Sequence, residues 1–206
     1  MIVANLAGFS RRYNKNHPSN THINGGVQLD AGTLANCIVA DNVACYDIGG
    51  VQLTGADAKM VNCLVVRNAG VTGVRQGVQA DKGLVLNCTI SGNGTNKVAN
   101  AVACNVAASA TFKNNIVWGN DDCATELTLA SGATASNNCT DNPLFKNADL
   151  GNYRLLSSSP CVNAGDSSLW DATLNPVDLD GKSRVRAGVD IGCYECQSSG
   201  FVLFVR

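Results

Sequence analysis

The residues of this chain best suited to chemistry lie on a repeated stretch. Gly26-Val27-Gln28-Leu29, Gly50-Val51-Gln52-Leu53 and Gly77-Val78-Gln79-Ala80 are near copies. In a strand, alternation puts Gln28, Gln52 and Gln79 on one outward face, flanked by Asp30, Thr54 and Asp81. If the copies stack, Asp30 and Asp81 stand two strands apart, about 9–10 Å, at the upper edge for an inverting pair of glycosidase carboxylates. Lys82 adjoins them as a base for a lyase-type proton abstraction. Asp30, Asp81 and Lys82 are the candidate catalytic residues, and the three glutamines are candidate ligand contacts. The plain alternative is a solvated sheet face.

Two other stretches concentrate polar chemistry. The segment Ser10-Arg11-Arg12-Tyr13-Asn14-Lys15-Asn16-His17, with His22 beyond it, gathers basic side chains, both histidines and one aromatic ring in a long loop. Long loops on rigid scaffolds often carry binding. Arg11, Tyr13, Lys15 and His17 would suit a neutral or anionic glycan, with Tyr13 as a stacking platform, against the plain reading of a solvated loop. Asp178-Leu179-Asp180-Gly181 resembles the opening of a calcium loop. Lys182-Ser183-Arg184 does not supply the oxygens that should follow. Asp178 and Asp180 are thus weak metal candidates, better read as a turn bonded to backbone and to Arg184 or Arg186. Cys193-Tyr194-Glu195-Cys196 stands alone, far from either histidine, so zinc is not expected. No cofactor is expected, calcium being the one weak candidate.

The elements that must position these groups follow from a repeat. Leu34-Ala35-Asn36-Cys37-Ile38-Val39 recurs around Asn62, Asn87, Asn114 and Asn137, at separations of 26, 25, 27 and 23 residues. A period of this size means that each unit buries its apolar face only by stacking on neighbours. Leu34, Met60, Val85, Phe112 and Ala135 lie two before the asparagine, and Val39, Val65, Ile90, Val117 and Thr140 three after. One residue must break strict alternation for both sets to point inward. Asn36, Asn62, Asn87, Asn114 and Asn137 are the residues suited to a left-handed corner, where their amides are expected to stack as a ladder. Cys37, Cys63 and Cys88 follow them and read as a buried thiol column. The expected fold is all-β: a right-handed parallel β-helix of about 25 residues per coil over residues 1–140, with an irregular C-terminal capping segment over 141–206. The positions two and four after each asparagine, Ile38, Ala40, Leu64, Val66, Ile116 and Trp118 among them, form an outer apolar stripe. It is expected to lie under the tail or, failing that, to serve self-association, as would exposed coil ends.

Bulk composition narrows the rest. Of 206 residues, 45% are hydrophobic and 15% charged, with a net charge of −1, which offers no basic stripe for nucleic acid. No run approaches the roughly 18 apolar residues of a membrane helix. Residues 1–9 make a poor signal peptide, and Ile2-Val3-Ala4-Asn5 echoes Ile38-Val39-Ala40-Asp41, so the chain is expected to begin within a coil. Ten cysteines are many for a cytosolic protein. The closing Phe201-Val202-Leu203-Phe204-Val205-Arg206 is expected to pack as a final strand, the alternative being a sorting signal read by secretion machinery.

Beyond Asn138 the repeat gives way to Asp141-Asn142-Pro143-Leu144-Phe145, Tyr153-Arg154-Leu155, Ser159-Pro160-Cys161, Asp178-Leu179-Asp180-Gly181 and Asp190-Ile191-Gly192-Cys193-Tyr194-Glu195. In this order the run resembles the C-terminal end of bacterial right-handed parallel β-helix surface proteins of the choice-of-anchor Q type. The resemblance implies a secreted protein displayed on the bacterial cell surface and carries over no catalytic residues. Cys193 stands where that family usually has Ala, which points to a disulfide with Cys161. The expected function is a structural, adhesive or glycan-binding module, its partner a polysaccharide or cell-surface glycan. The alternatives are a carbohydrate-active enzyme of polysaccharide lyase or glycoside hydrolase type, or a degenerate descendant, and a purely structural segment that closes a longer solenoid.

Overall fold

A computed structural model describes residues 25–44, 48–70, 75–94, 99–184 and 188–196. The chain forms a parallel β-solenoid of about four turns. No helix among the described residues is long and apolar enough to cross a membrane. The first-loop candidates Arg11, Tyr13, Lys15 and His17 and the terminal 201–206 segment lie outside the described residues.

Each coil begins on a broad sheet. Val27–Leu29, Val51–Leu53, Arg75–Leu86, Val102–Lys113 and Thr125–Leu129 stack in parallel, with Gly32–Ala35, Ala58–Val61 and Thr134–Ser136 continuing the face. Leu34, Met60, Val85, Phe112 and Ala135 share one register column and pack into the main core. The chain then turns at Asn36, Asn62, Asn87, Asn114 or Asn137, whose φ values fall between 51 and 55°. This is the left-handed region that asparagine tolerates better than other residues with a side chain. Ile38–Ala40, Leu64–Val66, Thr89–Ser91 and Ile116–Val117 form a second, narrower sheet. Val39, Val65, Ile90 and Val117 face the core from it. Five residues past each of the first four asparagines comes another left-handed corner, at Asp41, Arg67, Gly92 and Gly119.

The polar interior differs from expectation. The corner asparagines do not bond one another: Asn36 Oδ1, Asn62 Oδ1 and both amide atoms of Asn87 have no protein hydrogen-bond partner. Three of them reach the tail instead: Asn62 Nδ2 donates to Val177 O at 2.8 Å, Asn114 Oδ1 accepts from Asp166 N at 2.9 Å, and Asn137 Nδ2 donates to Ala164 O at 3.4 Å. The continuous ladder forms one corner later, through Asn42, Asn68, Asn93 and Asn120. Each amide nitrogen donates to the next side-chain oxygen at 2.9–3.0 Å, and the last donates to Glu126. Cys37, Cys63 and Cys88 are buried free thiols. Cys63 and Cys88 donate to carbonyls beside them, and Asn115 and Asn138 continue the same column by accepting the N–H groups of Cys88 and Asn115.

The tail covers the outer stripe. Phe145–Asn147 and Asn152–Leu155 pair antiparallel, and Tyr153 and Tyr194 pack on Leu64 and Val66, while Leu155 and Ile191 pack on Ile116. Leu64, Val66 and Ile116 are buried beneath the tail, while Ile38, Ala40 and Trp118 stay half-buried.

Candidate functional site

The first candidate is the Gln28–Asp81 face. Gln28, Gln52, Gln79 and Asn105 occupy one register column. Asn105 Nδ2 donates to Gln79 Oε1 at 2.8 Å, and Asp81 accepts from Gln52 and Gln79 at 2.8 and 2.6 Å. Asp30 accepts from the Thr54 hydroxyl and, at 3.3 Å, from Gln28. Those bonds, the Thr54 hydroxyl first and the Gln28 amide second, hold the Asp30 carboxyl below its usual range. A general acid needs the opposite shift. Lys82 is exposed and aligns with Ser109. Gln79, expected outward and wet, is buried.

The acidic turn is tied to the tail itself. Asp178 Oδ1 accepts from Asp180 N and Lys182 N at 2.9 and 2.8 Å, and its Oδ2 from Glu195 N at 2.8 Å. Asp180 takes a two-point contact from Arg154 at 2.5 and 2.7 Å, which holds its carboxyl below the usual range. Asp180 thus pairs with Arg154, and with Lys182 at 3.4 Å, rather than with Arg184, while Arg186 lies outside the described residues; the Arg154 guanidinium also lies over the Tyr194 ring at 4.8 Å. Among the described residues no three His, Cys, Asp or Glu side chains group as metal ligands. Arg184 is wholly buried and donates to Gly192 O at 2.7 Å, with Glu195 at 3.4 Å. Burial pushes the Glu195 carboxyl up to about 8 against the opposing pull of Arg184.

Cys161 and Cys193 are both free thiols, in separate clusters. Cys193 packs with Leu64 and Tyr194, its N–H bonded to Thr89 Oγ1 at 3.1 Å. Cys161 sits instead against Cys139. The expected Cys161–Cys193 bond does not form, because the tail sends the two residues to different strips of the narrow sheet.

A second site emerges where the tail crosses the solenoid. A groove of 380 Å³ runs between the corner Ser91, Gly92, Trp118, Gly119 and the hairpin that carries Phe145, Asp149 and Tyr153. The backbone N–H of Trp118 donates to Ile90 O at 3.1 Å, and Gly119 takes φ 70° at the corner that follows. Opposite, Asn147 caps the short turn Ala148–Leu150 by accepting from Leu150 N at 3.2 Å, which sets Asp149 on the rim. Phe145 and Tyr153 meet edge to face at 5.3 Å and 84°. Burial raises the Tyr153 phenol, so it stays a neutral hydroxyl. Aromatic walls with Asp121, Asn142 and Asp149 at the edge suit a ligand with apolar faces and hydroxyl rims. Trp118 was visible in the sequence as a stripe residue; the groove was not, since its walls come from segments some thirty residues apart. No protein-family model and no curated protein matches the chain.

Proposed function

We propose that this chain is a secreted, bacterial cell-surface β-solenoid module of the choice-of-anchor Q type that binds glycan through the Trp118 groove. The observation that carries the reading is the pairing of an aromatic wall, Trp118 with Tyr153, and a polar rim, Asp121, Asn142 and Asp149, in one groove. A sugar ring offers the complement, an apolar C–H face and equatorial hydroxyls. The distinctive tail motifs support the scaffold part of the reading. Arg154, Asp178, Asp180 and Glu195 bind one another or backbone, so they hold the cap together. The amide bonds around Asp30 and Asp81 favour a binding face over an acid–base pair.

Retention on immobilised polysaccharides tests it, with Trp118→Ala beside the parent chain. The expected result is glycan retention that falls about tenfold or more in the variant while melting stays close to the parent. Equal retention by both chains, or none by the parent, overturns the groove assignment. Release of new reducing ends or unsaturated uronates by the parent replaces a binding module with an enzyme.

A further inference from the structure

We propose that Cys139 and Cys161 are a redox pair whose disulfide fastens the C-terminal cap to the last coil. Each sulfur is held by its own backbone framework. Cys139 belongs to the solenoid: its N–H donates to Asn115 O at 2.8 Å and its carbonyl accepts from Val117 N at 2.9 Å, in a parallel bridge with Ile116. Cys161 belongs to the tail: its N–H donates to Ser159 Oγ at 3.1 Å and its carbonyl accepts from Ile191 N at 2.9 Å. These frameworks place both side chains on one apolar cluster, with Ile116, Leu155 and Ile191.

The pair is asymmetric in the way that thiol exchange requires. Cys161 is buried, and Cys139 is partly open to solvent. The neighbouring Cys161 thiol holds Cys139 below the usual thiol range, and Cys139, then burial, pushes Cys161 up; Cys139 Sγ itself donates to Asp141 O at 3.2 Å. The sulfur that solvent reaches is thus also the better thiolate, the attacking partner in exchange. The other buried thiols are poorer candidates. Cys63 and Cys88 lie wholly inside the main core with their S–H groups turned to carbonyls. Among the described residues Cys196, packed on the same cluster, is the one rival.

The oxidant is a small-molecule disulfide such as glutathione disulfide. The Cys139 thiolate attacks one of its sulfurs, the S–S bond breaks, and one glutathione thiolate leaves, so that Cys139 carries a mixed disulfide. Cys161 then gives its proton to the departing glutathione. Its sulfur attacks the Cys139 sulfur and the second glutathione leaves. Two protein thiols become one disulfide, and the oxidant becomes two thiols.

The test treats the folded, reduced full chain with glutathione disulfide, blocks remaining thiols by alkylation, and maps non-reduced peptides by mass spectrometry. The expected product is a cross-linked peptide pair holding Cys139 and Cys161, kept in Cys196→Ser. In Cys161→Ser it is replaced by glutathione retained on Cys139. A Cys139–Cys196 link, a lasting glutathione adduct on Cys139 of the parent chain, or alkylation of both thiols overturns the pairing.

Discussion

Asn68 holds three coils at once. Its oxygen accepts from the N–H and amide of Asn42 at 3.1 and 2.9 Å, and its own amide reaches Val39 O, Val66 O and Asn93. All of this is buried, where an unmet N–H costs about 1–3 kcal/mol. Asn68→Ala strands the N–H of Asn42 and cuts the ladder, so it should lower stability by about 3 kcal/mol in urea unfolding. Asn137 makes the opposite case, since it is exposed and its value lies in its φ of 52°. Asn137→Gly should stay within about 0.5 kcal/mol of the parent, and Asn137→Val should cost about 1–2 kcal/mol. Glu195 makes stability depend on pH. Its folded carboxyl, raised to about 8 from 4.5 by burial, binds its proton more tightly than the unfolded chain does. The stability this lends is complete below the unfolded value and is lost as pH rises through the folded one. Melting should therefore fall between about pH 5 and about pH 8, and Glu195→Gln should flatten that slope. An unchanged slope in the variant would mean that other groups govern it.

At the scale of elements, the tail and the narrow sheet depend on each other. Tyr153 is buried against Phe145 and the strand Leu64–Val66, and removing such a ring costs about 3–5 kcal/mol. Tyr153→Ala should loosen the cap first: limited proteolysis should cut within 141–196 before it cuts the coils. A chain that ends at Thr140 uncovers Leu64, Val66 and Ile116 and should self-associate in sedimentation, whereas the parent keeps that stripe covered. The stripe and its cover were legible in the sequence because outward apolar positions recur at the strand period, and a surface of that kind demands a partner. The left-handed corners were legible for a related reason: Asn recurs where strict alternation fails. The interior ladder was just as periodic, six residues beyond each corner, but Asn42, Asn68, Asn93 and Asn120 sit before Val, Ala, Gly and Asp and share no apolar frame that would mark them. The partner of Cys161 was illegible because nothing local encodes it. Cys139 reaches it only after the tail folds back over the coils, a path that the order of motifs does not fix.

Over the whole molecule, stability should vary along the solenoid axis, because each coil draws its core from the coils on either side. The first described coil is less enclosed than the next: Val27, Leu29 and Leu34 are only half-buried, while their register partners Val51, Leu53 and Met60 are fully buried. The middle coils also carry the interior ladder and lie beneath Tyr153, Cys193 and Tyr194. At the far end, Glu126 closes the ladder by accepting from the N–H and amide of Asn120 at 2.9 and 2.5 Å. Amide hydrogen exchange should therefore be slowest in Val51–Leu53, Leu64–Val66 and Thr89–Ser91, and faster by a factor of ten or more, about 1.4 kcal/mol, in Val27–Leu29. Glu126→Ala leaves two buried donors of Asn120 unmet, so it should speed exchange in Ile116–Val117 and Thr125–Leu129 well before it reaches Val51–Leu53. A uniform rise in all coils would mean that the solenoid opens as one cooperative unit rather than from its ends.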